Sequence, residues 1–164
     1  MNIKISNLIG TYFGLGLSKF APGTVGSLGT LPLAYILVYF GGFWGLFIGA
    51  ILIFIIGVKA TKNIINNTGN LDPSKVVIDE TVGQLITFLF IAYLSPDMLL
   101  DSRCFIYYTA GFALFRFFDI VKMGPVKFAD TKIKNAYGVM LDDVFAGLFA
   151  SVILLGILFF MVNN

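Results

Sequence analysis

Residues 135–164 read NAYGVMLDDVFAGLFASVILLGILFFMVNN, and this stretch decides the fold. From 144 to 162 it carries no charge, close to the ~20 apolar residues that let a helix cross a bilayer. At its entrance stand two adjacent carboxylates, Asp142 and Asp143. A carboxylate taken out of water is costly unless it is paired or holds a cation. The chain has only nine acidic residues among 164. Two of them in this position point to a polar site at the end of an apolar helix.

The composition points the same way. The chain is 58% apolar and 12% charged, against roughly 45–50% and about 25% in soluble domains. With 18 Phe, this implies a membrane protein or a very apolar helical bundle. The length suits one domain, 1–164, with its own core. A net charge of +2 and no basic run interleaved with aromatics argue against a nucleic-acid partner. The lone Cys104 excludes an intramolecular disulfide and a thiolate metal cage. No cleavable signal peptide is read at the N-terminus, where Gly14, Gly16 and Lys19 soon interrupt the apolar residues. Histidine is absent. That removes Ser-His-Asp hydrolases, histidine phosphatases and zinc–histidine sites. Acid–base chemistry is left to carboxylates, Lys, Tyr or a metal centre.

Periodicity predicts about six helices and no strands, an all-α bundle embedded in or associated with a membrane. Residues 3–13 predict a short amphipathic helix, followed by a glycine-rich loop over 14–27. Apolar helices are expected at 28–40 and 43–58, broken at Gly41-Gly42. Asp72-Pro73 reads as a helix start, and that helix runs to about Tyr93. A fifth spans about 98–121, 122–138 is a polar loop, and the last spans 139–162. Thirteen residues at ~1.5 Å each make 28–40 only about 20 Å long, so the first hairpin is expected to be re-entrant.

Threading these helices back and forth brings five carboxylates to one end of the bundle: Asp79, Glu80, Asp119, Asp142 and Asp143. Arg116 and Asp119 share a helical face at i, i+3. Asp79–Gly83 and Asp143–Gly147 are both i, i+4, and small residues let helix backbones approach closely. Clustered carboxylates cannot all ionise without cations, and oxygen-only ligands suit Mg²⁺ or Mn²⁺. The loop APGTVGS (21–27), with Gly23, Thr24 and Ser27, offers backbone N–H groups as an anion cradle at a helix start. Each motif also has an ordinary reading. Acids favour first turns, an exposed Arg116–Asp119 pair contributes little, and Pro22-Gly23 is a common turn. The convergence at one end is what sets them apart.

Four stretches, SKFAPGTVGSLGTLPL (18–33), VVIDETVGQ (76–84), FRFFDIVK (115–122) and GVMLDDVFAG (138–147), together resemble the bacterial phosphatidylglycerophosphatase A family over nearly the whole chain. The resemblance implies a Mg²⁺-dependent phosphatase in the inner membrane, converting phosphatidylglycerophosphate to phosphatidylglycerol. It also implies a helical bundle with one central helix. The acidic centre would be Asp79, Glu80, Asp119, Asp142 and Asp143, serving catalysis and metal binding. Lys19, Thr24, Arg116 and Lys122 fall in the family's polar motifs, with Arg116 and the lysines as phosphate clamps. Two departures stand out: Phe20 separates Lys19 from APGT, and Met123-Gly124 separates Lys122 from Pro125. Alternatives are a phosphatase of another lipid phosphate, a cation-coupled transporter and a structural membrane subunit. Lys and Arg concentrate at the acidic end, so that end is expected to face the cytoplasm.

Overall fold

The computed structural model describes the backbone of residues 1–163, with side chains as far as Phe160. The described residues form seven helices: α1 (Ile3–Gly10), α2 (Pro22–Thr68), α3 (Ile78–Thr87), α4 (Leu89–Leu94), α5 (Cys104–Val121), α6 (Pro125–Lys132) and α7 (Ala136–Asn163). Among the described residues there is no strand. Single 3₁₀ turns lie at Leu15–Leu17 and Pro96–Leu99. Helices α2, α5 and α7 are long and apolar enough to cross a membrane.

Helix α2 is a hairpin of two arms. Gly42 has φ +54° and ψ −138°, a region open to glycine and strained for other residues. Leu37 packs on Gly45 and Gly49, although eight residues of straight helix would separate Leu37 from Gly45 by ~12 Å. The chain therefore doubles back here, as Gly41-Gly42 suggested. The first arm starts six residues earlier than expected, at Pro22 rather than residue 28. Proline fits the first helical position because its missing N–H has no partner there anyway. APGTVGS is thus the first two turns of α2 and not a loop. The arm gains length to about 20 residues, or ~30 Å, which removes the reason to treat the hairpin as re-entrant.

Helix α3 is the central helix. All of it is buried except the half-buried Glu80, and α2, α5 and α7 pack around it. Glycines set the closest approaches. A side chain on Gly147 would collide with the backbone of Gly83, and one on Gly83 would meet the Asp143 carbonyl at 2.6 Å. Phe88 separates α3 from α4, so the expected single helix to Tyr93 is two. Its ring is fully buried and packs on Tyr108 of α5 at a centroid distance of 4.8 Å.

Three other expectations change. Asp72-Pro73 does not start a helix; α3 begins at Ile78. The Val77 N–H donates to the Gly10 carbonyl at 2.8 Å, and Val77 packs against Gly16 and Gly26, which ties this segment to α1 and α2 outside any helix. Helix α5 begins at Cys104 and not at 98, after the turn at Pro96–Leu99. The loop 122–138 contains α6, again opened by a proline at the first helical position. Helix α1 packs on the end of α2, where Asn63 Nδ2 donates to Ser6 Oγ at 2.8 Å. Lys4 and Lys75 line one small surface pocket, so Lys4 joins the basic residues at the acidic end.

Candidate active site

The acids arrive from three helices. Asp79 and Glu80 lie in the first turn of α3, Asp119 in the last turn of α5, and Asp142 and Asp143 two turns into α7. Asp79, Asp142 and Asp143 are buried. One carboxylate oxygen from each of Asp79, Glu80 and Asp143 lies within 4.8 Å of the others. The two acidic pairs are built alike. The Glu80 N–H donates to Asp79 Oδ1 and the Asp143 N–H to Asp142 Oδ1, both at 3.1 Å. Glu80 Oε2 and Asp143 Oδ1 are buried without any hydrogen-bond donor. Buried carboxylates this close together, with oxygens that no donor meets, are what a hard cation requires of its ligands. Asp79, Glu80 and Asp143 therefore could hold a metal ion, with carboxylate oxygens as its ligands.

Burial, and then the charge of Glu80, pushes the Asp79 carboxyl well above the ordinary carboxylate range. Burial also raises Glu80, against the opposing hydrogen bond with Asp79 and the charge of Arg116. A raised folded-state pKa supports folding below the unfolded value and loses that support as pH rises through the folded one. In chelator, thermal stability is therefore expected to fall as pH rises from about 4 towards neutrality, the ordinary Asp value being 3.8. Asp79→Asn should flatten that slope. Melting curves across this pH range check it, and an unchanged slope would reject the account.

Cations frame the acids. Arg116 Nη1 contacts Asp119 Oδ2 at 2.6 Å and Glu80 Oε1 at 3.9 Å, and donates to Ser27 Oγ at 3.4 Å. Ser27 itself donates to the Gly23 carbonyl at 2.8 Å. Gly23 has no room for a side chain, because one would collide with Glu80 Oε1 and crowd Arg116. The first turn of α2, whose Gly23 and Thr24 N–H groups have no intrahelical partner, thus stands beside Glu80 and Arg116. Lys122 bridges Asp130 Oδ1 at 2.5 Å and Asp142 Oδ2 at 3.0 Å. Burial alone would lower the Lys122 pKa, but the Asp130 and Asp142 carboxylates outweigh it and raise the ammonium above the usual lysine range. A cleft of about 360 Å³ opens over Asp79, Glu80, Asp119, Lys122, Asp142 and Asp143.

All five acids predicted from the sequence line this cleft, with Arg116, Ser27 and Gly23 behind Glu80. Lys19 does not line it and is exposed, four residues before Gly23. Thr24 is half-buried in the first turn of α2. Two residues escaped the sequence reading. Asp130, on the missed helix α6, anchors Lys122; Gly124-Pro125 was the available signal for that helix. Gln84 follows Glu80 by one turn, is fully buried, and neither amide atom has a hydrogen-bond partner. Its signal was an amide one turn after Glu80, on the same helical face.

The phosphatidylglycerophosphatase A family model matches residues 8–158. The chain belongs to the phosphatidylglycerophosphatase A family. Membership makes it a phosphatase. Phosphatidylglycerophosphatase A of Haemophilus influenzae is 36% identical over 94% of this chain and 90% of its own length. Phosphatidylglycerophosphatase A of Escherichia coli is 33% identical over 97% and 86%. A Bacteroides thetaiotaomicron relative, provisionally named a phosphatidylinositol-3-phosphatase, is 38% identical over 90% and 89%. No solved structure matches.

Proposed function

We propose that this protein removes the terminal phosphate of phosphatidylglycerophosphate, in a Mg²⁺-dependent step of phospholipid biosynthesis at the bacterial inner membrane. One observation supports the reading above the others: the carboxylates of Asp79, Glu80 and Asp143 converge beside Arg116, Glu80 and Asp143 each with a buried oxygen that no donor meets, at one end of helices able to cross a bilayer. Asp79, Glu80 and Asp143 would hold the cation, with Asp119 and Asp142 adjacent. A divalent cation there supplies Lewis acidity and offsets the phosphate charge. Arg116, oriented by Asp119 and Ser27, binds phosphate oxygens through its planar fork. Lys122, fixed by Asp130, adds a second positive charge at the rim. The Gly23 and Thr24 N–H groups complete the anion cradle. A carboxylate of the Asp79–Glu80 pair takes the proton of the attacking water as its oxygen bonds to phosphorus, the phosphorus–oxygen bond to glycerol breaks, and the same proton passes to the departing glycerol oxygen, releasing phosphate and the alcohol.

The phosphatidylinositol name of the Bacteroides relative favours a second reading, in which the same centre acts on another lipid phosphate. A phosphate-release assay of purified protein across phosphatidylglycerophosphate, phosphatidic acid and phosphatidylinositol 3-phosphate, with and without Mg²⁺, separates the two. Preference for the first lipid, lost without Mg²⁺, supports the primary reading.

Arg116→Lys should lower kcat/KM by about tenfold or more, because a point charge replaces a two-pronged contact with phosphate. Wild-type values in the lysine variant would reduce Arg116 to an ion-pair partner of Asp119.

The acidic end faces the cytoplasm in this reading, since basic residues cluster there. In a Cys104→Ser background, a cysteine placed at exposed Lys132 should label from the cytoplasm and one at exposed Ser102 from the opposite side. Labelling of both from the cytoplasm would reject the spanning arrangement, and labelling of Lys132 only from outside would invert it.

A further inference from the structure

An apolar groove of about 320 Å³ runs down the outside of the bundle between the second arm of α2, α3 and α7. The arm of α2 and helix α7 each contribute about two turns, from Phe47 to Phe54 and from Leu141 to Leu148, and α3 contributes Val82 and Ile86, joined by Leu89 of α4. No charged, hydroxyl or amide side chain lines it. Its floor includes buried Val82 and Ala50, while Phe47, Ile51 and Leu148 are 38%, 42% and 40% exposed at its mouth. The groove therefore opens sideways on the flank of α2 and α7, two helices able to cross a bilayer.

Helix geometry ties its upper end to the acids. Asp79, Val82 and Ile86 share one face of α3 at spacings of three and four. The groove floor is thus the continuation of the face that carries Asp79. On α7, Val144 and Leu148 follow the Asp142–Asp143 pair directly. Along α3, Asp79 of the acidic cleft and Val82 of the groove are three residues apart, ~5 Å of helix rise. Next along the helices lies a buried layer where Gly57 packs against Met140 and Ile78. Methionine is the side chain best able to yield there, being unbranched and flexible.

We infer that this groove binds one acyl chain of the lipid whose phosphate lies in the acidic cleft. The inference rests on the lipid-phosphatase reading above. A lining without hydrogen-bonding side chains excludes headgroups and accepts methylenes. The sideways mouth admits a chain from the bilayer, and the shared Asp79 face favours the substrate's own chain over bulk lipid. The glycerol portion of the lipid spans the Met140 layer. Acyl binding then contributes to substrate recognition beside the phosphate contacts.

The test places full-length protein in phosphatidylcholine nanodiscs. Phosphatidylglycerophosphate carrying a diazirine midway along one chain is photolysed before turnover. The same diazirine on phosphatidylcholine is the comparison. Groove peptides of α3 and α7 should label several-fold more from the phosphate lipid; equal labelling by the two lipids, or labelling confined to α1 and α5, overturns the proposal. In a second arm, Leu148→Trp narrows the mouth and Ala50→Phe fills the floor. The ratio of kcat/KM for the diacyl lipid to that for its deacylated headgroup should fall by about tenfold, the scale of one buried apolar side chain. Ile36→Trp, on the other arm of α2, should leave that ratio unchanged. An unchanged ratio in folded Leu148→Trp also overturns the proposal. Phosphate release from no lipid at all would reject the lipid-phosphatase reading, while the labelling comparison still decides the groove.

Discussion

Asp79→Asn and Asp143→Asn are each expected to lower phosphate release by at least about 100-fold, beyond the 10–100-fold typical of outer-sphere partners of a metal. Both side chains are buried, and their oxygens meet Glu80 within 4.8 Å. The amide keeps the shape and volume of the carboxylate but removes the charge that would hold a cation. Folding should survive. Without a cation these acids repel one another and resist burial, so each amide should leave the metal-free melting temperature equal or higher. Phosphate-release rates together with melting curves in chelator check both halves. Activity within about threefold of wild type in both variants would reject the metal centre, since even outer-sphere losses exceed that.

Gly147→Ala, a change of one methyl group that alters no charge, should also lower activity by about 100-fold. The new methyl group would run into the backbone of Gly83, and backbone inside a packed bundle cannot rotate away as a side-chain tip can. Helices α3 and α7 must then separate. Asp79 on α3 and Asp143 on α7 depend on that approach, and a displacement of ~1 Å at a reacting centre can cost about 100-fold. The accompanying loss of stability should be about 1–3 kcal/mol, as for overpacked cores. Rates and melting curves measured on the same sample separate the two effects. A variant that loses stability but keeps full activity would show that the acids do not need this spacing.

The acids were legible before the structure because charge is conspicuous in so apolar a chain. Five of nine acidic residues fall at helix ends that up-and-down threading brings to one side. The Gly83 and Gly147 spacings also carried the α3–α7 contact, since each glycine follows an acid by one turn. The turn at Gly41-Gly42 was equally visible, as a break in an apolar run. Misreadings clustered at proline and glycine. Pro22 and Pro125 open helices α2 and α6, yet in sequence they look the same as residues that end them.

Tertiary contacts decided the remainder. The Asp72-Pro73 signal lost to the Val77–Gly10 hydrogen bond and to Val77 packed among glycines, a long-range arrangement that no local pattern encodes. Asp130 became the anchor of Lys122 only when α6 folded back over the α5–α7 junction, and Gln84 acquired meaning only from its complete burial. Composition and periodicity alone determined an all-helical, membrane-suited bundle with its acids at one end, because burial of apolar surface and the cost of isolated charge act on every residue locally. Which acids share one point, which cation each lysine or arginine meets, and where an apolar groove continues the Asp79 face depend on angles and distances between helices. Those are set by side-chain packing across the chain, and only the folded structure contains them.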